Sequence, residues 1–213
     1  MTNNEGQELY RRYRPTSFKQ LIGQDDVVKS LVDLGKRNAI PHCILLTGPS
    51  GCGKTTTARI LRKKLKCGDA DYCEVNAAES RGIDMVRGIQ QRMMLAPIAG
   101  DCRVWCIDES HKISSDGMSA MLKMLEDTPS HVYFLLATTN PEKLLPTIKT
   151  RATEIKLKLL SPEGIEHLIK RTAKSEGVQL SEDVVISIQT HAEGSARKAL
   201  VLLHAVIGIE NED

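Results

Sequence analysis

Three glycines lie within six residues of this chain and are followed at once by a lysine and a threonine, in the order Gly48-Pro49-Ser50-Gly51-Cys52-Gly53-Lys54-Thr55. An apolar run over 43–46 precedes them, and 55–61 continue with helical spacing. The segment therefore joins a buried strand to a helix N-terminus. Glycines allow successive N–H groups to turn around a phosphate, and the helix dipole favours the same anion.

The segment also predicts which groups contact the ligand. The Lys54 ammonium would reach the β- and γ-phosphates of a nucleoside triphosphate, and the Thr55 hydroxyl would bind Mg²⁺. The alternative, a glycine-rich turn that matches by accident, fits poorly with a strand and a helix on either side. The candidate cofactor-binding residues are Gly48, Pro49, Ser50, Gly51, Cys52, Gly53, Lys54, Thr55 and Thr56.

Composition narrows the class of protein. A chain of 213 residues can bury one core and a small second domain. The net charge of +2 does not by itself require nucleic acid, and 3% aromatic residues leave little surface for stacking single-stranded bases. No apolar stretch is long enough to cross a bilayer, and the polar N-terminus is unlike a secretory signal. We expect a cytoplasmic or nucleoid location and no membrane partner.

The cysteine pattern predicts neither a metal site nor a disulfide framework. No CxxC pair occurs, and no histidine lies at zinc-finger spacing from a cysteine. We therefore expect no zinc. Two cysteines in strand-like runs are expected to be core residues, and two flanking an acidic turn over 68–71 are expected to have no role; the full set is Cys43, Cys52, Cys67, Cys73, Cys102 and Cys106.

Hydrophobic patterns predict an α/β protein. Amphipathic helical stretches separate most of the short apolar segments, which favours a parallel sheet between helices. Beyond residue 160 the patterns are helical only, with starts at Ser161, Ser181 and Gly194-Ser195. We predict an α/β nucleotide-binding domain over 1–160 and a small helical domain over 161–213. The predicted strands are 43–47, 73–77, 103–108, 132–138 and 153–157.

Polar residues follow two of the predicted strands. Asp108 and Glu109 come after 103–107; in phosphate-loop enzymes the first acid holds Mg²⁺ and the second activates water. The alternative is that these two acids merely begin a solvent-exposed loop and have no catalytic role. The next strand ends in Thr138-Thr139-Asn140-Pro141, which could bind the γ-phosphate, although these residues alone favour an Asn-Pro turn. His111 could contact substrate or transmit a signal, but a lone histidine is more often structural.

Together these motifs resemble the AAA+ ATPases, and most closely the clamp-loader subunits: bacterial gamma/tau and delta-prime subunits, replication factor C small subunits and their phage equivalents. The resemblance runs from Tyr10 to about Ile207. It implies a P-loop AAA+ core with a five-stranded parallel sheet, followed by a C-terminal helical lid. The further segments that carry it are Arg11-Arg12-Tyr13-Arg14-Pro15, Leu21-Ile22-Gly23-Gln24, Val75–Asp84, Thr150-Arg151-Ala152 and Gly194–Leu200.

The resemblance also implies roles for individual residues. ATP is the nucleotide, with Arg14 in the segment near the adenine. Thr139, or the adjacent Asn140, senses the γ-phosphate, and Arg197 is the sensor 2 arginine. Arg151 reaches in trans into a neighbouring subunit's ATP site, where a planar cation stabilises charge on the transferring phosphoryl group. The catalytic set is Lys54, Asp108, Glu109, Thr139, Arg151 and Arg197, with Thr55 and Asp108 as Mg²⁺ ligands.

Duplex DNA binding is implied as well. The matching candidates are Arg81, Ser114 and Ser115, because cations, hydroxyls and exposed N–H groups suit phosphates. Ser114 and Ser115 serve equally well as simple helix caps. The implied partners are other clamp-loader subunits in a homo- or hetero-oligomer, a sliding clamp and primer–template double-stranded DNA.

The leading hypothesis is the motor subunit of a clamp loader, with ATP hydrolysis stimulated by DNA and clamp. One alternative is another AAA+ machine, such as a helicase loader or a recombination or branch-migration ATPase. A second is a non-hydrolysing scaffold that supplies only Arg151, against which the intact Lys54, Thr55, Asp108, Glu109 and Arg197 argue.

Two departures from the family are evident. Thr150-Arg151-Ala152 replaces Ser-Arg-Cys but keeps the arginine. The chain ends where a collar domain is expected, so we expect that domain to be absent, as in a truncated or a short viral version acting in a host cytoplasm. The four-cysteine zinc module of bacterial gamma/tau subunits is reduced to Cys67 through Cys73, which favours the replication factor C or phage type.

Overall fold

The computed structural model describes residues 7–80 and 82–210. Its contacts divide the chain into two compact units. The sheet unit comprises 26–48 and 54–157, and the helical unit comprises the described parts of 1–25, 49–53 and 158–213. Residues 7–25 and 49–53 thus group with the C-terminal helices, and the domain boundary expected at residue 160 stays a prediction.

A five-stranded sheet forms the centre of the sheet unit, and all of its pairs are parallel. The order is β2-β3-β4-β1-β5. The three inner strands are buried almost throughout, because helices cover both faces of a parallel sheet. The strands are β1 (Cys43–Thr47), β2 (Tyr72–Asn76), β3 (Arg103–Asp108), β4 (Val132–Thr138) and β5 (Thr153–Lys156). The predicted α/β class and strand positions are confirmed.

The helices are α1 (Leu9–Arg12), α2 (Asp25–Lys36), α3 (Lys54–Lys64), α4 (Ile83–Met93), α5 (Ser115–Glu126), α6 (Pro146–Arg151), α7 (Pro162–Glu176), α8 (Glu182–Ala192) and α9 (Ala196–Glu210). In the sheet unit, α4 and α5 pack beside each other, and their buried residues form one core with Leu45, Trp105 and Phe134. Helix α3 packs against β1, β3 and β4. None of the described helices has the length and apolarity that a membrane crossing needs.

The helical unit is built from α1, α7, α8 and α9. Its core includes Leu9, Ile169, Ile188 and Leu203. The predicted helix starts are confirmed, since Ser161 Oγ accepts the Gly164 N–H at 3.2 Å and Ser181 Oγ accepts the Val184 N–H at 3.4 Å. Each cap satisfies a backbone donor that the helix itself leaves unpaired.

Candidate nucleotide-binding site

The glycines between β1 and α3 adopt backbone conformations that other residues rarely reach. The φ angles of Gly48, Gly51 and Gly53 are 144°, 77° and 105°. A Cβ added to Gly53 would meet no atom within 4 Å, so the requirement for glycine there comes from the backbone alone. This conformation is the one that the sequence predicts for a loop whose N–H groups surround a phosphate.

Lys54 and Thr55 begin α3 directly after the glycines. The Lys54 side chain is largely buried, and its Nζ donates to the Gly48 carbonyl oxygen at 2.8 Å. The loop thus holds an ammonium against its own backbone, where it can neutralise phosphate oxygens. Cys52 is buried, and Thr56 is half-buried in the first turn of α3.

The two candidate Mg²⁺ ligands meet at the carboxyl end of the sheet. Thr55 Oγ1 donates to Asp108 Oδ2 at 2.9 Å, and Asp108 Oδ1 accepts the Glu109 N–H at 2.9 Å. A hydroxyl and a carboxylate in contact suit Mg²⁺, a hard cation that prefers oxygen ligands. Among the residues at 7–80 and 82–210, no group of three His, Cys, Asp or Glu side chains could hold a metal ion. The absence of zinc stays a prediction.

Glu109 lies at the turn that follows β3, with a left-handed backbone (φ 49°, ψ 40°). Its Oε2 accepts from Thr139 Oγ1 at 3.3 Å, so the expected base and the expected γ-phosphate sensor are adjacent. The side chain of Asn140 is exposed, and its N–H donates to Thr138 Oγ1 at 3.0 Å. The structure therefore brings together Asp108, Glu109 and Thr139 from two neighbouring strands.

Two further residues belong to this cluster. His111 Nδ1 lies 3.3 Å from Glu109 Oε2 and 2.9 Å from Thr138 Oγ1. The sequence left His111 between a functional and a structural role, and it included Thr138 only as part of the segment Thr138-Thr139-Asn140-Pro141 that could bind the γ-phosphate. Ile107 pairs with Leu136 in the adjacent strands β3 and β4, so Glu109 lies level with Thr138. The contact could be predicted only from this strand register, which the sequence alone does not reveal.

The electrostatic surroundings of His111 keep its imidazole neutral. Burial lowers the pKa of His111 below its ordinary value; the Glu109 carboxylate opposes this shift, while Lys112, Lys143 and Lys54 add to it. Because the ordinary histidine value already lies near 6.5, the ring carries a single proton at pH 7.

In the helical unit, the first turn of α9 lies against the phosphate loop. A Cβ added to Gly51 would stand 2.0 Å from Ser195 Oγ and 3.6 Å from the Arg197 Cβ. Ser195 Oγ accepts the Lys198 N–H at 3.3 Å and so caps α9. The Cβ of the exposed Arg197 therefore lies near Gly51 of the same unit, and its role as the sensor 2 residue stays a prediction.

The remaining candidates are Arg151, Arg14, Ser114, Ser115 and Arg81. Arg151 is exposed, forms an ion pair with Glu126 and donates from Nη1 to the Thr147 carbonyl oxygen at 3.1 Å. Arg14 is half-buried in the helical unit. Ser114 caps α5 by accepting the Gly117 N–H at 3.2 Å, and the exposed Ser115 is the first residue of that helix. Arg81 lies outside the described residues.

The placement of β4 between β1, which leads into the phosphate loop, and β3, which carries the acids, defines the fold as that of a P-loop AAA+ ATPase, a class that binds nucleotide with Mg²⁺. A solved structure with the same fold is the Thermotoga maritima RuvB Holliday junction branch migration motor (TM-score 0.75, 24% identity, covering 90% of this chain and 64% of that one). At that identity the likeness concerns the fold alone.

Sequence relatives define the family. The family model "DNA polymerase III, delta subunit" matches residues 69–161, and "Rad17 P-loop domain" matches 1–81. DNA polymerase III subunit gamma/tau of Mycobacterium tuberculosis (H37Rv) is 35% identical over 93% of this chain and 38% of its own length. Subunit gamma of Buchnera aphidicola (Schizaphis graminum) is 36% identical over 94% of this chain and 61% of its own. The chain belongs to the clamp-loader family of AAA+ ATPases.

Proposed function

We propose that this chain is an ATPase motor subunit of a DNA sliding-clamp loader, which couples ATP binding and hydrolysis to the loading of a clamp onto primer–template DNA in replication. The observation that carries the proposal is the contact of Thr55 with Asp108 beside Glu109 and Thr139, which unites metal-binding oxygens, a base and a hydroxyl donor. Because the chain belongs to the clamp-loader family, we infer that ATP hydrolysis serves clamp loading. The chain spans about two fifths of the length of the first gamma/tau relatives, so the role of the whole protein is inferred.

Each group has a task in this mechanism. Lys54 and the loop N–H groups would bind the β- and γ-phosphates, and Thr55 and Asp108 would hold Mg²⁺, which would supply positive charge to the phosphates. Glu109 accepts a proton from the attacking water, while Thr139, or the neighbouring Asn140, orients the γ-phosphate. Arg197 would add a cation from α9, Arg14 would lie near the adenine, and Arg151 would serve a neighbouring subunit.

The complete set of catalytic groups supports a hydrolysing subunit over a passive scaffold. A subunit that does not hydrolyse ATP would not need the contact between the Asp108 carboxylate and the hydroxyl of Thr55, the last residue of the phosphate loop. No observation favours a helicase loader or a branch-migration motor, since RuvB shares only the fold. Binding of duplex DNA through Arg81, Ser114 and Ser115, assembly with other clamp-loader subunits, and a cytoplasmic location remain parts of this proposal.

An apolar patch offers a contact for the clamp. Met94, Leu95 and Ile98 are 65%, 59% and 78% exposed. They are the exposed large apolar side chains in the described part of the sheet unit. Single exposed apolar residues are ordinary, but a cluster of them marks an interaction surface.

The buried Asp71 and the half-buried His131 hold the backbone of this patch. The Asp71 carboxylate accepts the Ile98 N–H at 2.9 Å, and His131 Nε2 lies 3.1 Å from the Leu95 carbonyl oxygen. A segment already held in one conformation loses little entropy on binding a partner. We therefore propose that the sliding clamp docks on Met94, Leu95 and Ile98.

The proposal is tested by ATP turnover with primed DNA and sliding clamp together, with each alone and with neither, in the presence of the subunits of the same replication system. Turnover is expected to be highest with both. Glu109→Gln should still bind a fluorescent ATP analogue, but with turnover lowered about a hundredfold or more, because the base is lost. Glu182→Gln, an exposed glutamate on α8, is the matched control.

Two results would contradict the proposal. A clamp without effect at any DNA concentration would refute the clamp-loading role. Hydrolysis by Glu109→Gln at the rate of the unmodified chain would show that another residue is the base.

A further inference from the structure

The base Glu109 is held in one orientation by groups on two sides. Its left-handed backbone is uncommon for a residue with a Cβ and persists only where the surroundings impose it. Ser110, the next residue, is fully buried, and its Oγ donates to the Ala137 carbonyl oxygen at 3.1 Å. The turn after β3 is therefore fastened to the end of β4.

The neighbouring Glu109 carboxylate indicates which ring nitrogen of His111 carries the proton. An ionised carboxylate only accepts, so the contact of Glu109 Oε2 with His111 Nδ1 at 3.3 Å requires a proton on that nitrogen. The same N–H is 2.9 Å from Thr138 Oγ1, which also accepts the Asn140 N–H. The tautomer with Nδ1 protonated satisfies all of these contacts, whereas the other would face a carboxylate with a lone pair.

The two oxygens of Glu109 then differ. Oε2 accepts from the Thr139 hydroxyl and lies 3.3 Å from His111 Nδ1, while no hydrogen bond reaches Oε1 from the part of the chain that the structure describes. The His111 side chain is only 5% exposed, so packing fixes its ring. Oε1 is left to accept a proton from water.

We propose that His111 is a positioning residue for the base. Its Nδ1–H, fixed by the hydrogen bond with Thr138 at the end of β4, lies against Glu109 Oε2 and attracts that oxygen, so that Oε1 faces the attacking water. This inference rests on the proposed ATP hydrolysis and adds to it a residue that the phosphate loop, the paired acids and the expected sensors do not include.

The first test compares two substitutions. His111→Leu keeps bulk but removes the donor, and we expect kcat to fall about ten- to a hundredfold, since a displaced base loses much of its effect. KM and the Kd of a fluorescent ATP analogue should change less than about twofold, because no phosphate contact is lost. His111→Asn should restore kcat, because its amide nitrogen is as many bonds from Cβ as Nδ1. The exposed His204→Leu is the control.

A double-mutant cycle separates positioning from a merely structural role. In a Glu109→Gln background, measured by single turnover, His111→Leu should cause no further loss, because the base is gone. An equal loss in both backgrounds, or no loss in the otherwise unmodified chain, would overturn the inference. A chain that hydrolyses no ATP with its partners would instead refute the proposed function and this inference together.

Discussion

Gly51 has much tighter surroundings than Gly53, its neighbour in the phosphate loop. Its φ of 77° disfavours any side chain, and Ser195 Oγ occupies the place that a Cβ would take. Gly53 has a similar positive φ of 105° but open space around it. Alanine at Gly53 would therefore strain the backbone only, whereas alanine at Gly51 would strain the backbone and also clash with Ser195.

A suppressor experiment uses this difference. Gly51→Ala should weaken binding of a fluorescent ATP analogue, and adding Ser195→Gly should restore part of it by removing the clashing hydroxyl. The backbone cost, about 1–2 kcal/mol, would remain. Ser195→Gly alone should be nearly silent, since glycine caps a helix almost as well as serine.

Gly53→Ala is the control for this pair. It should weaken binding through its backbone, and Ser195→Gly should leave that defect unchanged. Equal rescue of both alanine variants, or of neither, would show that contact with Ser195 is not what Gly51 accommodates.

At the scale of elements, one buried ion pair organises the connection from α4 to β3. Asp71 accepts the Ala99 N–H at 2.7 Å and pairs with Arg103 Nη2 at 3.2 Å. Arg103 also donates to the carbonyl oxygens of Arg92 and Ala96, at 2.7 and 3.1 Å. The sequence predicts an acidic turn over 68–71 but does not reveal that Asp71 in this turn is buried.

Replacing Asp71 should have a large, pH-dependent effect. Burial alone would raise the pKa of its carboxyl, but the Ala99 and Ile98 N–H groups and Arg103 bring it below the ordinary value. Asp71→Asn leaves Arg103 without its counter-ion, so the free energy of unfolding at pH 7 should fall by about 3 kcal/mol. The pKa of Asp71 is lower in the folded than in the unfolded chain. Its contribution to the free energy of unfolding is therefore complete above about pH 4, the pKa in the unfolded chain, and is lost as the pH falls through the pKa in the folded chain.

Urea unfolding at pH 7 and near pH 3 measures this effect. The exposed Asp69→Asn, which removes a surface partner of Arg62, should cost under about 1 kcal/mol at pH 7. A difference between Asp71→Asn and the unmodified chain that stays constant down to pH 2 would contradict the assigned pKa shift.

The sequence predicted the strands, the helix starts and the phosphate loop because each follows from a local pattern. Apolar runs mark β1, β3 and β4, and serines cap α7 and α8. The contact of Asp71 with Arg103 could not be found in this way, since it joins residues 32 positions apart. The link from Glu109 through His111 to Thr138 depends likewise on strand order and register, which periodicity does not reveal.

At the scale of the whole molecule, the apolar patch should separate partner binding from catalysis. Leu95→Ser with Ile98→Ser is expected to abolish stimulation of ATP turnover by the clamp, because the apolar contact area is lost. Turnover without clamp should be unchanged, since neither residue belongs to the nucleotide site. Titrating the clamp into the ATPase assay measures both.

Ile186→Ser is the matched control for the patch. Ile186 is 58% exposed on α8, in the helical unit, and its replacement should leave clamp stimulation intact. Full stimulation of the Leu95 and Ile98 double variant would place the clamp contact elsewhere.

The ion pair of Arg151 with Glu126 has a consequence for assembly. If Arg151 serves a neighbouring subunit, as proposed above, its guanidinium must leave Glu126 for a phosphate of the neighbouring site. Glu126 offers a single carboxylate, whereas a terminal phosphoryl group presents several oxygens and a higher charge. The exchange therefore favours a triphosphate in the neighbouring site over a diphosphate. Because both side chains are part-exposed, the pair with Glu126 is weak, and under the proposal it would only bias Arg151 towards a neighbour that holds a triphosphate.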